Sequence, residues 1–200
     1  MKKYGNNDTE IWMRTAINYP YFCWTNAFSS HLCDLIVDEG LKLGAKDASL
    51  DDGGIINKDI RKGLVSFFPD DYWLEYTLIE YVKKASIQAG WNFVIDNKEQ
   101  LQFANYRKEA HYDWHRDCDI QSDVYRKLSV TVQLSDPEDY QGGVLEFKNY
   151  WGTTPIVTPE NVLAKGSIIV FPSAMLHRVT PVTKGERFSL VQWYSGPDFI

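Results

Sequence analysis

Two separated stretches of this chain hold residue types that can bind a metal. The first is Tyr112-Asp113-Trp114-His115-Arg116-Asp117, with a His-x-Asp pair. The second runs from His177 to Arg187. Two imidazoles and one carboxylate hold Fe(II) on one face and leave the opposite coordination positions open. Side chains i and i+2 of an extended strand share a face, so His115 and Asp117 at a strand end are expected to project together. His177 must then arrive from a different strand. Arg187, ten residues after His177, adds a planar cation suited to a dicarboxylate beside the metal. His-x-Asp alone arises by chance in many strands. The distant histidine followed by an arginine is more specific, and points to a site that consumes a keto acid to activate oxygen.

Competing readings attach to the same residues. Zinc could occupy two histidines and an aspartate with water as nucleophile, although Arg187 has no evident task in a zinc hydrolase. His177 alone would pass for a satisfied core histidine. Of the other histidines, His31 is expected on a helix surface. His111 precedes His115 by four residues, which does not repeat a strand face cleanly with the turn expected there. Cys118, beside Asp117, reads as a small buried hydrophobe rather than a thiolate ligand.

The elements that must position these residues follow from periodicity. Residues 1–28 read as an irregular segment. Ser29 and Ser30 can cap a helix reaching about Leu43, with Leu32, Leu35, Ile36, Glu39 and Leu43 at helical spacing and Gly44 as the stop. Residues 45–60 read as loop, with a turn at Asp51-Asp52-Gly53-Gly54. Arg61–Phe68 reads as a strand, and a second helix is expected from Tyr72 to Ala89, closed by Gly90. The period then changes to short apolar or alternating runs: Trp91–Ile95, Leu101–Tyr106, Lys127–Leu134, Val144–Phe147, Pro155–Val157, Gly166–Phe171 and Phe188–Tyr194. Turn signals such as Asp136-Pro137-Glu138-Asp139, Gly142-Gly143 and Lys184-Gly185 separate several of them. Helices first and many strands after predict an α+β chain with a β-sandwich or jelly-roll core. A length of 200 residues fits a single domain, 1–200, with its core at about 61–195.

Composition narrows the function classes. The chain is 44% hydrophobic and 24% charged, enough to bury a core and too apolar for a disordered tail. Its 14% aromatic content suits a β-rich fold or an aromatic-lined cleft. A net charge of −6 argues against nucleic acid as partner, because phosphate binding leans on a basic surface. Cys23, Cys33 and Cys118 form neither a CxxC pair nor an even framework, which predicts a reducing compartment. The polar start, Met1-Lys2-Lys3-Tyr4-Gly5-Asn6-Asn7-Asp8, is no signal peptide, and no apolar run reaches membrane-spanning length. A cytoplasmic location without membrane partner is the expectation.

From about Arg61 to Tyr194 the chain resembles the Fe(II)/2-oxoglutarate-dependent oxygenases of the prolyl 4-hydroxylase superfamily, most closely the short PKHD-type hydroxylases. The resemblance rests on Tyr106 ahead of Tyr112–Asp117, on Leu128–Pro137 running into Tyr140–Leu145, and on Gly166–Ser173 leading to His177–Val182 and Gly185–Ser189. It implies a double-stranded β-helix (jelly-roll) core with supporting N-terminal helices. It further implies Fe(II), 2-oxoglutarate and O2 as cofactor and cosubstrates, with ascorbate a candidate reductant. By carry-over, His115, Asp117 and His177 would be the iron ligands and catalytic centre. Arg187 would take the C5 carboxylate of 2-oxoglutarate, Tyr106 would donate a hydroxyl to it, and Ser189 would add a hydrogen bond. Gln133 faces the same position, where relatives often place a Tyr. Trp193 matches a tryptophan beside metal and substrate in prolyl hydroxylases, and serves equally well as a core residue. Tyr112 could line the substrate mouth, and Arg61 and Arg126 could meet substrate backbone or carboxylate; each is equally a solvated strand residue. Relatives carry a Gly between the Tyr and the His-x-Asp pair, where this chain has Arg107-Lys108-Glu109-Ala110.

The implied reaction is oxidative decarboxylation of 2-oxoglutarate to succinate and CO2, coupled to hydroxylation of an unactivated C–H. A prolyl residue in a peptide or protein is the leading substrate. A free amino acid or other small molecule is the alternative within the class. A zinc-bound or non-catalytic jelly-roll binding module and a nucleic-acid demethylase are the alternatives outside it. Nothing in the sequence speaks to oligomeric state.

Overall fold

The computed structural model describes residues 20–50, 55–118, 125–148, 155–157 and 160–197. Most of the expected irregular segment 1–28 and the turn at 51–54 lie outside them. In chain order the elements are β1 (Phe22–Trp24), α1 (Ser30–Gly40), β2 (Lys46–Asp47), β3 (Arg61–Lys62), β4 (Leu64–Phe67), α2 (Trp73–Gln88), β5 (Asn97–Lys98), β6 (Gln102–Tyr106), β7 (His111–His115), β8 (Arg126–Gln133), β9 (Tyr140–Gly142), β10 (Leu145–Lys148), β11 (Pro155–Val157), β12 (Ile168–Pro172), β13 (His177–Val179), β14 (Val182–Gly185) and β15 (Arg187–Ser195). Short 3-10 turns lie at Pro137–Asp139 and Glu160–Leu163.

The larger sheet runs β1-β12-β8-β15-β6-β4-β2, with β5 also pairing β15; the smaller runs β11-β10-β13-β7-β3, and β14 pairs β9. Neighbouring strands in both sheets are antiparallel. The α+β expectation therefore holds at the level of a mostly antiparallel sheet structure with two helices.

Strand alternation distributes the core. On β12, Ile168 and Val170 join α1 and α2 side chains (Ile36, Leu74, Leu78, Val82) on one face of the large sheet. Ile169 and Phe171 turn to the other face and meet Phe147 and Val179 of the small sheet. Both faces of the large sheet are covered at β12, which reads as an unbroken apolar run. On β8 and β15 the alternation matters more for function. Leu128, Val130, Val132 and Leu190 face the helices. Ser129, Thr131, Gln133, Arg187, Ser189 and Trp193, also buried, occupy the alternate positions. Residues of the same parity share a face, so a strip of polar groups points between the sheets.

Several expectations need correction. Helix α1 is capped by Ser29, whose Oγ accepts from the Leu32 amide, but it ends at Gly40 with Leu41 as C-cap. Gly44 is not its stop. A Cβ on Gly40 would lie 2.5–2.7 Å from the Phe103 ring, so the helix packs its last turn against the sheet through a missing side chain. The buried stripe is Cys33, Ile36 and Gly40, whereas Leu35 is 47% exposed. Arg61–Phe68 is not one strand. The chain leaves the small sheet after Lys62 and enters the large one at Leu64, turning at Gly63. Part of the expected irregular segment forms β1, and part of the expected loop forms β2. Helix α2 closes as expected, with Gly90 at φ 75°. Trp91–Ile95 is not a strand. Asn92 also takes positive φ, and the Asn92 and Phe93 amides turn back to cap the helix on the Ser86 carbonyl and hydroxyl. Among the described residues no helix is long and apolar enough to cross a membrane.

Candidate metal centre

Pairing between β7 and β13 sets His115 directly opposite His177. Asp117 is placed differently from the strand-face expectation. β7 ends at His115, and Asp117 lies in the bend beyond it. The amides of Asp117 and Cys118 both donate to the Ser173 carbonyl, at 2.9 and 3.1 Å, and this hook turns the Asp117 carboxylate back toward the two rings. His115 Nε2 is 3.5 Å from Asp117 Oδ1, and His177 Nε2 is 3.5 Å from Asp117 Oδ2. One ligand atom from each residue lies within 4.8 Å of the others. Ligands about 2.1 Å from a metal at right angles sit roughly 3 Å apart, so the set fits a single ion with small adjustment.

The imidazoles are oriented for that task. His115 Nδ1 donates to the Asp113 carbonyl at 2.7 Å and His177 Nδ1 to the Met175 carbonyl at 2.9 Å. Each ring thus presents the Nε2 lone pair to the site. Tyr112 stacks on His115, with centroids 3.4 Å apart and planes 11° apart, and Phe171 meets His177 edge-on. Burial drives the His177 pKa down to about 4 despite the opposing Asp117 charge, so the ring is neutral near pH 7. Burial would raise the Asp117 carboxyl. The imidazoles of His177 and His115 and the Ser129 hydroxyl outweigh it and hold the group below the usual carboxylate range. A neutral imidazole and an ionised carboxylate are the protonation states a metal requires.

A cleft of about 470 Å³, counting its open mouth, extends from these ligands between the sheets. Arg187, only 2% exposed, lies in its wall. Its Nη2 donates to Gln133 Oε1 at 2.8 Å, while Nε and Nη1 are buried with no hydrogen-bond partner among the described residues. A buried guanidinium with unmet donors is costly unless an anion completes it. Tyr106, Tyr112, Arg61, Ser189 and Trp193 also line the cleft. The Trp193 indole N–H is buried and has no hydrogen-bond partner among the described residues.

Two of the expected site residues stand outside the lining. Gln133 holds Arg187 from behind. Arg126 pairs with Glu99 and lies over the Trp193 ring at 4.2 Å, with a long contact from Nη1 to the Asp117 carbonyl. Arg61 donates to the Ser49 carbonyl and to Gln102 Oε1 and stacks on Tyr112. His111 points both ring nitrogens at the carbonyls of Glu109 and Asp59, away from the metal set. His31 is exposed, and Cys118 is half-buried rather than buried. The missing glycine has a structural answer. Glu109 itself adopts φ 68°, held by its amide on the Val182 carbonyl, so the left-handed turn is kept without a glycine.

Sequence reasoning missed Ser129 and Ser173. Ser129 Oγ donates to Asp117 Oδ2 at 2.7 Å and lies 2.9 Å from Ser173 Oγ. It also missed Gln102, Thr131 and Val191 in the cleft wall. Strand parity with Arg187 and Gln133 was the available signal for Val191, Thr131 and Ser129.

A buried Arg facing a His-Asp-His set between two antiparallel sheets defines a class, and the sequence agrees. Residues 101–195, just under half of the chain, match the 2OG-Fe(II) oxygenase superfamily. The class implies Fe(II), 2-oxoglutarate and O2, for which the ligand set and Arg187 are suited. Among relatives, a PKHD-type hydroxylase of Shewanella sp. (strain ANA-3) is 39% identical over 95 residues, which are 46% of this chain and 40% of that protein. The chain matches less than half the length of such curated relatives. Among solved structures, a Pseudomonas putida prolyl-4-hydroxylase aligns with TM-score 0.68 at 19% identity, over 90% of this chain and 95% of that one. A Trichoplax adhaerens prolyl hydroxylase, in complex with a hypoxia inducible factor oxygen degradation domain peptide fragment, aligns with TM-score 0.72 at 14% identity, over 98% and 94%. At these identities the two solved structures show a shared fold.

Proposed function

We propose that the protein is an Fe(II)- and 2-oxoglutarate-dependent dioxygenase that hydroxylates an unactivated C–H and releases succinate and CO2. The paired sheets are read as its double-stranded β-helix. The observation that carries the proposal is Arg187: a buried cation with two unmet donors in the same cleft as three ligand-ready side chains. A zinc hydrolase or a binding module leaves that cation unexplained.

In this reading His115, Asp117 and His177 hold the iron. When bound, the iron would let 2-oxoglutarate and O2 react, with O2 the oxidant, one oxygen atom ending in succinate as CO2 leaves and the other in the hydroxylated product; the protein supplies placement and exclusion of water. Arg187 takes the far carboxylate of 2-oxoglutarate, where low dielectric strengthens the pair. Gln133 fixes the guanidinium, and the Tyr106 hydroxyl and Ser189 add polar contacts. Tyr112 and Trp193 wall the substrate mouth. Asp117 keeps a carboxylate where related halogenases lack one, which favours hydroxylation.

A prolyl residue in a peptide or protein is the proposed substrate, supported by the likeness to prolyl hydroxylase structures, one with a peptide bound. One observation supports a smaller, carboxylate-bearing substrate as the second reading. Among the described residues Arg61 meets only neutral acceptors, and it lines the cleft.

The test is anaerobic addition of Fe(II) and 2-oxoglutarate, followed by the visible metal-to-ligand charge-transfer band. A band that needs both components and vanishes in His177→Ala and Asp117→Ala supports the proposal. A folded, metal-loaded protein without the band refutes it. Proline-containing peptides, with ascorbate present, are then assayed for succinate release.

A further inference from the structure

We infer that Ser129, backed by Ser173, is a positioning residue that keeps Asp117 a one-oxygen metal ligand and so preserves the third open coordination position. The inference rests on the proposed metal centre and adds to it the control of coordination number.

The carboxylate's own placement does not decide how many oxygens it offers. Oδ1 is 3.5 Å from His115 Nε2, and Oδ2 is 3.5 Å from His177 Nε2. Each oxygen thus faces one imidazole nitrogen at the same distance. What breaks the symmetry is the Ser129 hydroxyl, 2.7 Å from Oδ2. An ionised carboxylate only accepts, so Ser129 must be the donor there. Its single proton is then spent, and in the contact at 2.9 Å the Ser173 hydroxyl must donate to Ser129. The polarity of the chain is fixed: Ser173 to Ser129 to Asp117. Ser129 and Ser173 are fully buried, so no bulk water competes for these bonds.

The backbone reinforces the arrangement. Ser173 carries the hook for the Asp117 and Cys118 amides on its carbonyl, and its own amide donates to the carbonyl of Lys127 in β8. The loop bearing Asp117 and the strand bearing Ser129 are therefore tied at one residue. The carboxylate cannot turn without breaking a charge-assisted bond in a dry setting.

The consequence is a count. An octahedral ion held by a facial triad has three positions left. A cosubstrate bound through two atoms and O2 through one use all of them. A carboxylate binding through both oxygens would take a fourth position and leave no room for O2 beside the chelated cosubstrate. The hydroxyl on Oδ2 both anchors the carboxylate that offers Oδ1 and occupies the second oxygen, so its loss would loosen the ligand and free it to turn.

Co(II) is the probe, added to wild type and to Ser129→Ala, Ser129→Thr and Ser173→Ala. Affinity is read by calorimetry and coordination by the visible ligand-field spectrum. Loss of such an outer partner weakens metal binding about 10- to 100-fold. The expected result is that loss in Ser129→Ala, with a changed spectrum, recovery of both in Ser129→Thr, and a smaller change of the same kind in Ser173→Ala. A Ser129→Ala protein with affinity within about twofold of wild type and a superimposable spectrum overturns the inference. If Ser129→Ala does not fold, Ser173→Ala decides: a changed spectrum with weaker binding supports it, and unchanged values overturn it. Wild type that binds no Co(II) refutes the metal centre instead, which is a distinguishable failure.

Discussion

Replacing Arg187 by methionine should weaken 2-oxoglutarate binding and at the same time leave the ligand-free protein as stable as before, or more stable. The opposite signs come from one fact. The guanidinium is buried at 2% exposure, with one hydrogen bond to Gln133 and two donors unmet. Without ligand it is a desolvated cation in surplus, and replacing buried charge by an apolar side chain of similar size is often neutral or stabilising by about 1–4 kcal/mol. With ligand, it makes two charge-assisted bonds to a carboxylate, each contributing about 1.5–3 kcal/mol. Their loss should cost about 3–6 kcal/mol, or roughly 100- to 20,000-fold in affinity at 1.4 kcal/mol per decade. The assay is anaerobic titration of the Fe(II) protein with 2-oxoglutarate, read by the charge-transfer band, beside thermal unfolding of the ligand-free protein. Affinity within about threefold of wild type would show that Arg187 does not hold the cosubstrate. A large drop in ligand-free melting temperature would show that the cation is a structural member, and the unmet donors would need another account.

Three further outcomes are expected. Gly40→Ala should destabilise by about 1–3 kcal/mol in urea unfolding, because the added methyl would drive into the Phe103 ring; a neutral result would mean that the helix end can shift. Glu75→Ala should cost about 3 kcal/mol, since Glu75 is 1% exposed and its loss strips Lys98 and Gln192 Nε2 of a carboxylate partner, whereas Asp47→Ala, in the exposed pair with Lys58, should cost under about 1 kcal/mol by the same assay. For pH, the His177 pKa of about 4 lies below the usual 6.5, so the unfolded chain takes up its proton first as pH falls. This contribution to metal-free stability is complete above about pH 6.5 and is lost toward pH 4, up to about 3 kcal/mol. Thermal melts across that window should show a steeper decline for wild type than for His177→Ala, and parallel declines would contradict the buried neutral ring.

The residues of the candidate centre were legible because they are chemically rare and their types are constrained: His115, Asp117, His177 and, beside them, Arg187 stand out whatever the surrounding fold. The change from helical to strand periodicity after Ala89 was legible too, because burial imposes it residue by residue. What stayed hidden depends on backbone torsion and on partners far away in sequence. Arg61–Phe68 reads as one strand from its apolar content, yet it divides at Gly63 between two sheets, and only strand pairing decides that. Trp91–Ile95 has strand composition, but left-handed turns at Gly90 and Asn92 spend it on capping a helix. Asp117 was expected on the strand face of His115 and instead hangs from the Ser173 carbonyl. Ser129 and Ser173 carry no signature of their own, since serine is common and their roles arise from a 2.9 Å contact between residues 44 apart in the chain. Residue type determines which groups can do chemistry and which faces must be buried. Orientation, hydrogen-bond polarity and the cleft itself are properties of non-local contacts, and those exist only once the sheets have paired.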